Sequence, residues 1–106
     1  MNPESFQNKP SRETLPGMTG RFLHGEHHSL AYWEGKAGTL LPVHQHMHEQ
    51  MTYILSGTLE MELDGVKHVL NAHDVLLIPP HTPHGGKVIT DCRLIDSFSP
   101  VREDYK

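Results

Sequence analysis

The chain has 106 residues, the size of one domain, and a formal charge of −4 with its histidines neutral. Its nine Lys and Arg residues are scattered rather than gathered into a stripe, which excludes nucleic acid as an expected partner. The single cysteine, Cys92, excludes an intrachain disulfide and a zinc knuckle. No apolar run is long enough to cross a bilayer and the opening residues lack an apolar core, so a soluble, cytoplasmic protein with no membrane partner is expected.

Taken in order, residues 1–20 are polar, carry Pro3, Pro10 and Pro16, and show neither the helical nor the strand period. They read as a poorly ordered arm, of the kind that can lie across a partner subunit, and residues 21–106 read as the domain proper. Short apolar runs broken by turn residues follow: Leu30 to Trp33, then Leu40 to Val43, then Tyr53 to Leu55. Leu59, Met61 and Leu63 alternate with polar neighbours, which predicts a half-buried strand. Asp64-Gly65 is a tight-hairpin signal, because both central positions of the favoured turn need positive φ, and Val66 to Leu70 is its return strand. Val75 to Ile78 reads as a buried strand stopped by Pro79-Pro80, and Lys87 to Thr90 and Cys92 to Phe98 supply two more. Seven or more short strands with no helical period predict an all-β sandwich or barrel. A domain this small buries a limited fraction of its surface, so a metal and a second subunit would both help it, and a homodimer is expected.

Ten histidines are many for this length, and they cluster. If the stretch around His44-Gln45-His46-Met47-His48-Glu49-Gln50 is a strand, His44, His46 and Gln50 share a face and can converge on a divalent transition ion. His48 has the same parity and competes with Gln50, whereas Glu49 points the other way. A further ligand must come from elsewhere. His84, after the Pro-rich turn that starts at Ile78, is placed to supply it, with His81 a weaker competitor. His24, His27, His28, His68 and His73 read as ordinary polar histidines.

These two segments resemble the paired motifs of the cupins. The first is Gly38, five residues, His44-x-His46, three residues, Gln50, six residues, Gly57; the second is Pro79-x-x-x-x-His84. The resemblance implies a jelly roll, a double-stranded β-helix, holding one divalent transition ion (Ni, Zn, Mn or Fe) on His44, His46, Gln50 and His84. Gln50 departs from the usual cupin pattern, which has Glu here. Four neutral ligands leave the ion's full charge in the site, which suits polarising a substrate oxygen, and any general base must then come from another strand.

The C-terminal run supplies one. Asp96 and Phe98 share a strand parity, and Arg102 follows the Pro100 turn. An inward ionised carboxylate costs several kcal/mol unless it is paired or used, so an Asp96–Arg102 ion pair is the structural alternative to a catalytic role. Beside a cation and an arginine, Asp96 is expected to have a depressed pKa. His-x-His-x-His-x-Gln, the later Pro-Pro-x-x-x-His and the ending Asp-x-Phe-Ser-Pro-x-Arg-Glu-Asp-Tyr together resemble the small pectin-degradation cupins that linearise unsaturated uronates. That resemblance covers about residues 20 to 106. It implies a small acidic sugar as substrate, with Asp96 in proton transfer, Arg102 on the uronate carboxylate and Phe98 against the sugar. A metal-dependent cupin dioxygenase and a non-enzymatic binder of sugars or small acids are the competing readings.

Overall fold

The computed structural model describes residues 2–106. Ten strands follow one another: β1 (Arg12–Leu15), β2 (Met18–His24), β3 (Ser29–Gly35), β4 (Leu40–His44), β5 (Glu49–Ser56), β6 (Leu59–Leu63), β7 (Val66–Leu70), β8 (Val75–Ile78), β9 (His84–Val88) and β10 (Cys92–Ser99). They pair antiparallel in two facing sheets, one of six strands in the order β1-β2-β3-β10-β5-β8 and one of four in the order β4-β9-β6-β7. This is the all-β jelly roll that the motifs imply. Only two 3₁₀ turns, Phe6–Asn8 and Glu103–Tyr105, interrupt it among the described residues.

The period-2 alternation decides what lies between the sheets. On β10 the inward residues are Cys92, Leu94, Asp96 and Phe98, and on β5 they are Gln50, Thr52 and Ile54. The β5/β10 register sets Asp96 opposite Thr52 and Phe98 opposite Gln50. Asp96 and Thr52 therefore face each other across a strand pair, with Gln50 beside them, at the polar end of the interior. The rest of that interior is built by Met18, Trp33, Leu59, Met61, Val88 and Leu94, with Ile54 and Ile78 fully buried. The predicted hairpin forms at Asp64-Gly65, with φ of 49° and 82°. Gly57 combines a φ of 83° with close approach to the Asp91 carbonyl, so no side chain fits there, which accounts for the glycine that ends the first motif.

Four expectations change. The stretch from His44 to Gln50 is not one strand: His44 ends β4 in the four-stranded sheet, Glu49 begins β5 in the six-stranded sheet, and the intervening residues cross between them. The N-terminal segment is not a loose arm. Met1 lies outside the described residues, but residues 12–15 form β1 at the edge of the six-stranded sheet, and β2 runs straight through residue 20, where the arm was expected to end. Upstream, Phe6 stacks on Tyr32 with ring centroids 5.8 Å apart, and Arg21 Nη1 donates to the Phe6 carbonyl at 2.8 Å, so the segment lies on the outer face of its own sheet. β8 is an edge strand rather than a buried one. Its alternation puts Val75 and Leu77 on the uncovered outer face, with Leu77 opposite the equally exposed Met51. Finally, β9 begins at His84, three residues before the predicted strand, so this histidine is held by a ladder rather than by a loop.

Candidate metal centre

The ligand-type atoms of His44, His46 and His84 all lie within 4.8 Å of one another. His44 and His84 are cross-strand partners in the β4/β9 pair, which brings their rings to 4.3 Å, and the crossing between the sheets carries His46 to 4.9 Å from His84. Each ring is fixed in the same way. The Nδ1 of His44 meets the Pro42 carbonyl at 2.9 Å, that of His46 the His48 carbonyl at 3.1 Å, and that of His84 the Thr82 carbonyl at 2.8 Å. A carbonyl can only accept, so each Nδ1 carries the proton and each Nε2 presents a lone pair. Bonds of this kind from the far ring nitrogen to a carbonyl orient histidines that bind metals.

The protonation states agree. Burial lowers the pKa of His46 to about 4, against smaller opposing effects of the neighbouring Gln50 and His48 oxygens, and burial also lowers that of His84. Both are neutral at pH 7, the form that ligates. His84 is 2% exposed and its Nε2 has no hydrogen-bond partner, an orphaned acceptor that a cation at the centre of the cluster would satisfy. The residues fit a divalent ion.

Gln50 joins the cluster through a chain of hydrogen bonds from the opposite wall. Thr52 Oγ1 donates to Asp96 Oδ1 at 2.6 Å and accepts from Gln50 Nε2 at 3.0 Å. With its nitrogen committed to Thr52, the amide turns its Oε1 toward the histidines, 2.9 Å from His46 Nε2. This gives a physical account of Gln in place of Glu. An ionised Glu has no hydrogen for Thr52, so Thr52 could serve it only by abandoning Asp96. The competing residues fall elsewhere. His48 turns its Nε2 to the Val101 carbonyl at 3.2 Å, and neither it nor the exposed His81 and Glu49 belongs to the cluster.

Asp96, Phe98 and Arg102 share one cavity of about 80 Å³ with His44, Gln50 and His84. His44 is exposed while lining it, so the mouth lies at the histidine end. Two expectations about this wall are corrected. The carboxyl of Asp96 is not depressed: burial raises its pKa to about 6, outweighing the stabilising effects of Thr52, Gln50, Trp33 and Arg102. Nor does Arg102 pair with Asp96. Its Nε and Nη2 donate to Asp104 at 2.9 and 2.8 Å, a bidentate bond that holds the Asp104 carboxyl below its usual range. Arg102 spends its charge on Asp104, which is why Asp96 feels so little of it. The guanidinium also lies against two rings, 4.6 Å from the Phe98 ring centroid and 4.2 Å from that of Tyr105. Asp104 takes the Nε/Nη2 edge of the guanidinium in the bidentate geometry that suits a carboxylate.

Thr52, Asp104 and Tyr105 were not singled out by the sequence reading. Thr52 carried a usable signal, since it shares strand parity with Gln50. Asp104 and Tyr105 depend on the Glu103–Tyr105 turn folding back over Arg102, which no periodicity announces.

Comparison with known proteins matches the cupin domain to residues 31–98. The pectin degradation protein KdgF of Dickeya dadantii (strain 3937) is 31% identical over 70 residues, an alignment that covers 64% of this chain and 64% of that protein's length. Among solved structures, an RmlC-like cupin from Shewanella frigidimarina superposes with a TM-score of 0.92 at 31% identity, covering 97% of this chain and 94% of that one. KdgF from a Halomonas species superposes with a TM-score of 0.90 at 30% identity, covering 98% and 100%. Two facing sheets, the paired histidine motifs at their junction and this match over most of the ordered strands agree, and the chain belongs to the cupin family.

Proposed function

We propose that this cupin is a metal-dependent enzyme that linearises 4,5-unsaturated monouronates, the sugars left when lyases cut pectin or alginate. The observation that carries the reading is the shared cavity: a buried carboxyl with a raised pKa, Asp96, lines it together with His44 and His84 of the three-histidine cluster and with Arg102. The similarity to proteins named for pectin degradation supports the same class of substrate.

In such a sugar the ring oxygen is attached to the C4–C5 double bond. Linearisation moves the C1 hydroxyl proton to C4. The C1 carbonyl forms as the C1–ring oxygen bond breaks, and the released enolate becomes the C5 ketone once C4 is protonated. Atoms and electrons balance within the substrate, so one acid/base group that accepts and returns a proton is sufficient. Asp96 is that group. With a pKa of about 6 it is mostly ionised at pH 7, ready to take the hydroxyl proton, and close enough to neutrality to give it back at C4. Thr52 holds one carboxylate oxygen and so aims the other. Arg102, steadied by Asp104, binds the uronate carboxylate, and Phe98 packs on the sugar. His44, His46, Gln50 and His84 hold one divalent transition ion, which when bound supplies positive charge that polarises the sugar oxygens.

The test is ultraviolet absorbance of the enol ether band of unsaturated galacturonate. Metal-loaded protein is expected to speed the loss of this band well beyond spontaneous opening in buffer, and a rate equal to that of buffer alone would overturn the reading. The dioxygenase alternative predicts oxygen uptake instead, and the neutral ligand set gives it less support.

A further inference from the structure

We propose that Trp33 is a substrate-contacting residue whose indole Nε1–H donates to a hydroxyl oxygen of the bound sugar beside Asp96. Trp33 projects inward from β3, is 4% exposed, and lines the same cavity as Asp96, Phe98 and Arg102. Its hydrocarbon part is accounted for by packing. The ring meets Phe22 and Tyr105 edge to face at 5.4 and 5.7 Å and closes over Gly20, where an added Cβ would strike it. Its nitrogen is not accounted for. Among the described residues only three buried side-chain polar atoms lack a hydrogen-bond partner: His84 Nε2, which belongs to the metal cluster, His48 Nδ1 and Trp33 Nε1. A buried tryptophan N–H nearly always finds an acceptor, and a phenylalanine would fill an apolar niche without this cost.

The surroundings identify the missing group. Trp33 is a diagonal neighbour of Asp96 across the β3/β10 pair, where Leu94 stands opposite Trp33 and Asp96 opposite Ala31, and no hydrogen bond of good geometry joins Nε1 to the carboxylate. Thr52 already donates to Asp96 Oδ1. A group in the cavity that meets both the indole and the carboxylate must accept from Nε1–H and donate to Asp96. A hydroxyl does both with one oxygen, a carboxylate cannot donate, and an ammonium cannot accept. The geometry therefore selects a hydroxyl-bearing ligand at this point, while the anionic end of the same ligand goes to Arg102. This inference rests on the proposed uronate chemistry and adds to it the residue that recognises the hydroxyl whose proton Asp96 takes.

Trp33 is the chain's only tryptophan, so its indole N–H gives a single resonance in an amide correlation spectrum. Protein loaded with zinc, a diamagnetic ion, is titrated with galacturonate, which has no double bond to react, and separately with acetate, which has a carboxylate and no hydroxyl. The indole proton is expected to move downfield with galacturonate and to stay in place with acetate. An indole resonance that stays in place while galacturonate shifts other cavity resonances would overturn the inference. In steady-state kinetics Trp33→Phe removes the donor and keeps an aromatic ring, though a smaller one, at this position, so a KM raised about tenfold with kcat little changed is expected. A folded Trp33→Phe protein with wild-type KM would likewise overturn it. If the wild-type protein does not linearise the unsaturated sugar, the proposed reaction falls, and the galacturonate titration still decides the role of Trp33.

Discussion

Replacing Thr52 with valine probes the chain of hydrogen bonds that joins the two walls of the cavity. Valine has nearly the shape of threonine, so packing is kept while the hydroxyl between Asp96 and Gln50 disappears. Thr52 is 1% exposed, and solvent cannot take the hydroxyl's place without rearrangement. Two bonds are lost together, the 2.6 Å bond to a buried carboxyl and the 3.0 Å bond from the Gln50 amide. Each buried group left unpaired costs about 1–3 kcal/mol, and the carboxylate sits at the upper end, so Thr52→Val should destabilise the fold by about 3–5 kcal/mol. Thr52→Ser retains the hydroxyl and loses one methyl group, for which about 1 kcal/mol is expected. Urea denaturation of metal-stripped protein at pH 7.5 measures both. The second readout is metal affinity by competition with a chelator. An amide no longer steered by Thr52 should weaken binding by about 10- to 100-fold in the valine variant and much less in the serine variant. A valine variant as stable as wild type, with the same metal affinity, would refute the claim that this chain orients Gln50.

Four further outcomes follow from the same geometry. Asp96→Asn should lower kcat by about 100- to 10,000-fold if the carboxyl transfers the proton, and a wild-type rate in a folded, metal-bound variant would leave Asp96 with a structural role only. The same substitution reports on stability: the folded pKa of Asp96 is raised from 3.8 to about 6, so its favourable contribution is present below about pH 4 and is lost as pH rises to about 6, worth about 3 kcal/mol. His46 and His84, with lowered pKa values, act in the opposite direction and lose stability as pH falls below 6.5, so the quantity to plot is the difference between wild type and Asp96→Asn, which should favour the variant at pH 7 and vanish near pH 4. Arg102→Lys should raise KM more than it lowers kcat, because a point charge cannot reproduce the bidentate edge, and a reversal of that split would refute the anchoring role. His46→Ala with His84→Ala should abolish stoichiometric metal in untagged protein, and metal that persists would redirect attention to His48. A homodimer is expected to use the exposed face where Met51 and Leu77 pair, so light scattering should give twice the 12.0 kDa chain mass for wild type and the chain mass for Leu77→Asp.

The parts of the site legible in the sequence were those written in local pattern. Motif spacing picked out His44, His46, Gln50 and His84, and strand parity put Asp96 and Phe98 on one inward face, where β10 holds them. Parity gave the right convergence for the wrong reason at His44 to Gln50, because two strand ends from different sheets also meet at a point when a short crossing joins them. The state of Asp96 was misread because pKa depends on burial and on how a neighbour's charge is shared, both products of tertiary structure. Arg102 stood close in sequence, but the turn at Glu103–Tyr105 gave it a nearer partner in Asp104. The N-terminal strand went unseen for a related reason. Arg12 to Leu15 carries no alternation of its own and is ordered by pairing with β2, whose edge it covers.

The division of labour between the sheets has an energetic consequence. His44 and His84 stand on the four-stranded sheet, Gln50 on the six-stranded one, and His46 on the crossing between them. The four positions come together only when the two sheets face each other, so an ion held there binds the folded chain and not the unfolded one. Its binding free energy then adds directly to stability, by about 2.7 kcal/mol at a metal concentration one hundred times Kd. For a 106-residue domain that is a large share of a total of the order of 5–15 kcal/mol. The proposed proton-transfer and anchoring groups, Asp96 and Arg102, lie on β10 and just beyond it, and the hydrogen-bonded path from Asp96 to the candidate ligands runs through the β5/β10 pair. Gln50 and Thr52 are the two β5 residues in that path. A change at either is therefore expected to alter sheet-to-sheet stability, metal affinity and the environment of Asp96 together.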